Sequence, residues 1–97
     1  MSEEVVDNPE KSRFEIRVDG KVAGFADYLL LPTKVVFTHT EVLPEYGGQG
    51  LAGRLVAHAL DLTRDTGLKV VPRCEYVAGY IERNPAYKDL LDPSVTG

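Results

Sequence analysis

The sequence predicts an α+β fold of the three-layer α/β kind: an antiparallel three-strand meander, a helix, a parallel fourth strand and a second helix, in the order β-β-β-α-β-α. Three observations predict it. Apolar residues alternate with polar ones through residues 13–30, an Asp19-Gly20 pair interrupts that alternation, and the periodicity turns helical directly after Gly47-Gly48-Gln49-Gly50.

In residues 13–19, Phe14, Ile16 and Val18 alternate with Glu15, Arg17 and Asp19, as a half-buried strand does. Asp19-Gly20 tolerates the positive φ of a tight hairpin turn. Residues 21–30 resume the alternation, and Pro32-Thr33-Lys34 turns the chain again. Residues 35–43 are rich in β-branched and aromatic types, a third strand. Such short connections make the three strands antiparallel, because a parallel crossover needs about a dozen residues or more.

From Leu51 a helical stripe runs through Leu55, Ala59 and Leu62, with Ala52, Val56 and Leu60 beside it. Gly67 stands where a helix-ending glycine belongs. Residues 68–72 form a short strand stopped by Pro72, parallel to the third because a helix returns the chain beside it. Residues 75–83 form the second helix, with Tyr76, Val77, Tyr80 and Ile81 on its apolar face. Asn84-Pro85 ends it, and residues 86–91 make a last turn.

The 97 residues allow one domain and exclude a full two-half dinucleotide domain or a barrel. The net charge of −4 is uneven, since residues 1–12 carry −3 of it. They are expected as an acidic flexible N-terminal tail, and residues 13–97 as a single minimal domain. The nearly neutral body has no basic run, which disfavours nucleic acid. Cys74 is the only cysteine, so no internal disulfide forms. No signal segment or bilayer-length apolar run is visible, and a cytoplasmic protein with no membrane partner is expected. One cysteine and two histidines far apart lack metal-ligand spacing, so no metal is expected.

The informative segment is 43–55, LPEYGGQGLAGRL: strand end, glycine loop, helix start. That arrangement aims free backbone N–H groups and a helix dipole at one spot, where a phosphate fits. A plain turn would need one glycine; three in four residues favour a ligand. Gly48 to Gly53 spells the dinucleotide G-x-G-x-x-G, but that motif needs a parallel βαβ unit, and here a meander precedes it. Gly48 to Leu55 brushes the phosphate-loop pattern, but Arg54 and Leu55 replace its lysine and its hydroxyl residue.

Gly47-Gly48-Gln49-Gly50-Leu51-Ala52 does resemble the [QR]-x-x-G-x-[GA] signature of the GNAT superfamily of acetyl-CoA-dependent N-acetyltransferases, with Gly47 where Arg or Gln is usual. Thr38-His39-Thr40, Pro72-Arg73-Cys74-Glu75-Tyr76-Val77 and Asn84-Pro85-Ala86-Tyr87 are similar to its small single-domain, YjdJ-like branch, over about residues 13 to 91.

The resemblance implies that coenzyme A, as acetyl-CoA, is the cosubstrate. Val42 and Leu43 would offer backbone groups to its pantetheine. Gly47, Gly48, Gln49, Gly50, Leu51 and Ala52 would take its diphosphate, and Asn84 and Tyr87 would touch its arm. The thioester would lie near His39 and Cys74. Cys74 would act as acid for the thiolate or as a transient acyl carrier, against the alternative of a small buried hydrophobe. His39 would be the base, against a hydrogen-bonded strand histidine, and Glu41, on His39's face, a base through water, against a solvated carboxylate. Asn84-Pro85 also reads as a helix stop and Tyr87 as a core aromatic, while Arg54 and Arg73 read as surface arginines before 3′-phosphate ligands. Tyr76, Tyr80 and Phe37 read as core or pocket wall, and His58 has no role.

The expected function is thus acetyl transfer from acetyl-CoA to an amine. The alternative is a CoA or acyl-CoA-binding module with little catalysis, which Gly47 and the absence of an obvious strong base keep open; an unrelated anion-binding domain comes third. The tight Asp19-Gly20 turn replaces the helices that larger superfamily members carry there. The resemblance therefore implies an open acceptor site, suited to a protein or peptide amine or completed by a partner, on a monomer or weak homodimer.

Overall fold

Five strands in sequence order, β1 to β5, make one sheet, antiparallel from β1 to β4 and parallel between β4 and β5. They are β1 (Glu3–Asn8), β2 (Arg13–Val18), β3 (Lys21–Leu30), β4 (Lys34–Val42) and β5 (Lys69–Pro72); helices α1 (Leu51–Thr66) and α2 (Glu75–Arg83) flank β5 in the chain. The structure is a computed structural model and describes residues 2–95. Met1 of the expected tail and Thr96 and Gly97 of the expected domain lie outside the described residues.

From residue 13 onward the elements follow the expected order. Asp19 and Gly20 turn the β2–β3 hairpin with φ of 49° and 83°, the pair of positive values that matches strand twist in a two-residue turn. Gly67 ends α1 at φ 79°, its N–H donating to the Arg64 carbonyl.

The expected flexible tail is the main correction. Residues 3–8 form strand β1, paired antiparallel with β2 from Glu3↔Val18 to Asn8↔Arg13. Its inward side chains each find a partner: Glu3 on Arg54, Val5 on the core, and Asp7 under the Tyr28 hydroxyl at 2.7 Å. None of those partners is local, so charge and length at this end concealed a strand.

The core joins Phe14, Ile16, Val18, Ala23, Ala26, Val35 and Phe37 of the sheet to Leu51, Leu55, Val56, Ala59 and Leu60 of α1 and Val77 and Ile81 of α2. Both helices enter this one cluster, and the molecule is 19 Å deep along its shortest axis. That packs the helices on the sheet around one core, the mixed α+β arrangement expected. Within α1, Leu62 is 40% exposed and Thr63 takes the core position, its hydroxyl donating to the Ala59 carbonyl at 2.8 Å. The 3.6-residue period carries the stripe 55, 59 to 63 rather than 62.

The other sheet face is polar. Glu15 is 1% exposed there and fully bonded by Arg13, Arg17 and Asn8 at 2.7–3.1 Å. No helix is long and apolar enough to cross a membrane among the described residues.

Candidate functional site

The site begins where β4 and β5 part. Their parallel pairing runs from Lys34↔Lys69 to Phe37↔Pro72 and stops. Pro72 has no N–H to continue a ladder, and Cys74 closes the pair by donating its amide to the Phe37 carbonyl at 2.9 Å. Strand β4 goes on for five residues against β3 alone.

The register of β4 shifts in that stretch. Tyr28 pairs with Phe37 but Asp27 with His39, so Thr38 is an extra residue, a β-bulge. The bulge reverses the alternation. Val35 and Phe37 face the core before it; Thr40 and Val42, paired with Ala26 and Gly24, face it afterwards. The Leu43 amide donates to the Ala23 carbonyl at 2.8 Å, so by alternation Thr40 and Val42 aim their backbone groups at the open edge. Leu43 is a correction here: its carbonyl also accepts the Tyr46 amide at 2.9 Å, and both of its backbone groups are engaged within the chain. Thr40, which sequence reasoning passed over, takes that place beside Val42. Its signal was the extra residue between two otherwise regular runs, visible only once β3 is paired.

After β4, Pro44–Tyr46 makes one 3-10 turn, and Gly47 follows with φ −64° and ψ 154°. Gly48 and Gly50 adopt φ of 78° and 71°, where a side chain is strained. Leu51 buries its side chain in the core and starts α1. Among the described residues, no backbone bond uses the N–H groups from Gly48 to Gly53; the Arg54 amide is the first to donate, to the Gly50 carbonyl at 3.4 Å. These donors and the helix dipole converge on the loop, and no side chain caps it. Free N–H groups at a helix start suit an anion. Arg54 also serves the loop, donating to the Gln49 carbonyl at 2.9 Å.

Cys74 is 8% exposed, immediately before α2, with its thiol directed to the Thr40 hydroxyl at 3.4 Å. Thiol and hydroxyl thus line the core side of the opening between β4 and β5. His39 and Glu41 lie on the opposite sheet face, joined Nε2 to Oε1 at 3.1 Å, with 57% and 48% of their side chains exposed. The His39 ring is tilted against Phe25, 6.1 Å between centroids. The structure therefore joins His39 to Glu41 and Cys74 to Thr40, one pair on each face.

Asn84 and Tyr87 lie past the C-terminal end of α2, each bonded within the chain. The Asn84 side chain donates to the Tyr80 carbonyl at 2.9 Å and the Asn84 backbone carbonyl accepts the Tyr87 amide at 3.0 Å, the work of a helix stop. The Tyr87 hydroxyl donates to Asp61 at 3.0 Å. Asp61 is ten residues into α1, ~15 Å along the helix from the glycine loop. Burial and that bond hold the Tyr87 phenol above its ordinary range.

The model of the GCN5-related N-acetyl-transferase family matches residues 13–90. Protein NATD1 of Mus musculus is 39% identical over 88 residues, which span 87% of this chain and 80% of that protein. Protein NATD1 of Xenopus tropicalis is 29% identical over 89 residues, 87% of this chain and 81% of that one. A GCN5-like protein from Staphylococcus aureus, solved by NMR, has the same fold with a TM-score of 0.68 at 22% identity, over 92% of this chain and 87% of that one. The ribosomal-protein-alanine N-acetyltransferase of Brucella melitensis follows with a TM-score of 0.59 at 21% identity, over 88% and 64%.

Proposed function

The chain belongs to the GCN5-related N-acetyltransferase family, and we propose that it moves an acetyl group from acetyl-CoA to an amine. One observation carries this reading: the open β4 edge at Thr40 and Val42 leads straight to the anion cradle at Gly48–Ala52. An extended, amide-bearing arm ending in a diphosphate matches both halves. Its amides pair with a strand edge as an added strand would, and its phosphates meet the helix N-terminus.

Acetyl-CoA supplies the activated acyl group. The chain's residues supply positioning and protons. The opening between β4 and β5 holds the thioester between two side-chain pairs. His39, steadied by Glu41, faces the open side from which an amine approaches, and takes the proton that the amine loses as its bond to the acetyl carbon forms. As the carbon–sulfur bond breaks, the Cys74 thiol gives its proton to the departing sulfur and regains one from solvent. The exposure of His39 and Glu41 suits an amine on a protein or peptide.

Calorimetric titration with CoA and acetyl-CoA, followed by thiol release across a panel of amines and peptides, tests the proposal. Binding and amine-dependent thiol release are expected. Absence of binding at millimolar CoA refutes it. Binding without turnover on any amine turns the reading to a CoA-binding module with little catalysis.

A further inference from the structure

Glu3 opens β1, and both of its carboxylate oxygens are held by Arg54: Nε to Oε1 at 2.7 Å and Nη2 to Oε2 at 3.0 Å. The same Nη2 donates to the Gln49 carbonyl at 2.9 Å, and Nη1 lies 3.4 Å from where a Cβ on Gly50 would stand. One guanidinium is thus pinned against the glycine loop on one side and occupied by an N-terminal carboxylate on the other. We propose that Glu3 and the phosphates of CoA compete for Arg54, so that the first strand restrains the cofactor site until ligand displaces its carboxylate. This rests on the CoA reading above and adds regulation to it.

Three features support the competition. The family signature places Arg or Gln at the start of the loop; Gly47 has no side chain to offer there, and Arg54 is the guanidinium that touches the loop. A guanidinium fork accepts a carboxylate or a phosphate through the same two donors. The ion pair is open to water, with 47% of the Arg54 and 33% of the Glu3 side chain exposed, so it is weakly held and exchangeable. A diphosphate carries more charge than one carboxylate and gains the loop N–H groups as well. By linkage, whatever Glu3 takes from ligand affinity, ligand takes from the hold on β1.

The test is a double-mutant cycle on the full chain, read by calorimetry with CoA. Glu3→Gln is expected to tighten CoA binding by about two- to fivefold, Arg54→Met to weaken it, and Glu3→Gln to have no effect in the Arg54→Met background. Glu4→Gln is the control of equal charge, since Glu4 alternates to the other side of the strand; it is expected to leave affinity unchanged. Unchanged or weaker binding by Glu3→Gln overturns the competition, as does tightening that persists without Arg54 or is matched by Glu4→Gln. Failure of the wild-type chain to bind CoA would overturn both this inference and the reading beneath it, whereas wild-type binding that Glu3→Gln does not alter overturns the competition alone.

Discussion

The sulfur of Cys74 lies 3.4 Å from the Thr40 hydroxyl, across the opening left where β5 turns into α2 and β4 runs on. The pair joins a residue after one strand to a residue after the bulge of the other, and marks the core side of the proposed thioester site. Cys74→Ala is expected to lower amine-dependent thiol release while CoA affinity persists, at a stability cost of about 1 kcal/mol for the lost contact and bond. Full turnover by Cys74→Ala would assign the thiol to packing.

His39 and Glu41 are exposed and joined to each other, so changing them should spare the fold. His39→Gln is expected to cut kcat/KM by about 100-fold, with the KM for acetyl-CoA held. Steady-state kinetics with varied amine and acetyl-CoA read both effects, and a variant with wild-type kcat/KM would remove His39 from the chemistry.

The two ends of the glycine signature predict opposite outcomes. Gly50 sits at φ 71°, so Gly50→Glu is strained by about 1–2 kcal/mol and sets a carboxylate in the anion cradle; CoA binding should vanish. Gly47 has ordinary backbone angles, and its Cβ would meet only the Pro44 carbonyl at 3.3 Å, a contact that a small shift relieves. Gly47→Arg restores the usual signature residue and is expected to fold and bind CoA more tightly. Weaker binding by Gly47→Arg would dissociate residue 47 from the phosphate site.

Glu15 carries a pH signature. Burial alone would raise its pKa, but bonds from Arg17, Arg13 and Asn8 outweigh burial and lower it from 4.5 to about 2. A carboxylate with a depressed folded-state pKa stabilises above its unfolded value and loses that stabilisation as pH falls toward the folded one. Urea midpoints should therefore drop between about pH 4.5 and 2, by up to about 3 kcal/mol in free energy. Glu15→Gln should be less stable at pH 7 and flatter across that window; a wild-type slope in the variant would exclude Glu15 as the source.

Tyr87→Phe separates packing from ligand contact. It removes the bond to Asp61 and leaves the ring against Tyr80. A loss of about 1 kcal/mol in chemical denaturation with unchanged CoA affinity is expected. Weakened CoA binding at unchanged stability would return Tyr87 to the cofactor site.

Local signals carried much of the fold. Asp19-Gly20 forces its hairpin because only a few residue types accept two positive φ values in succession. The span of α2, Glu75–Arg83, follows from its apolar spacing and the Asn84-Pro85 stop. The glycine loop was legible for the same reason: Gly48 and Gly50 hold conformations that other residues resist. Each depends on neighbours within a few positions, so the amino-acid order determines it alone.

What the tertiary structure decided depends on distant partners. Strand β1 exists because the free edge of β2, Arg54 and Tyr28 receive it; half of its own residues are charged. The Tyr87 hydroxyl was drawn to Asp61, 26 residues away, by a contact no local pattern encodes. The site itself turns on Thr38. A regular strand would place His39 on the buried face with Val35 and Phe37, but one extra residue against β3 reverses the alternation. It turns Thr40 toward Cys74 and leaves His39 and Glu41 in water. Side chains alternate with a period of two, so a single inserted residue changes the face of every residue after it. The chain determined which chemical groups it owns; strand pairing decided which of them face each other.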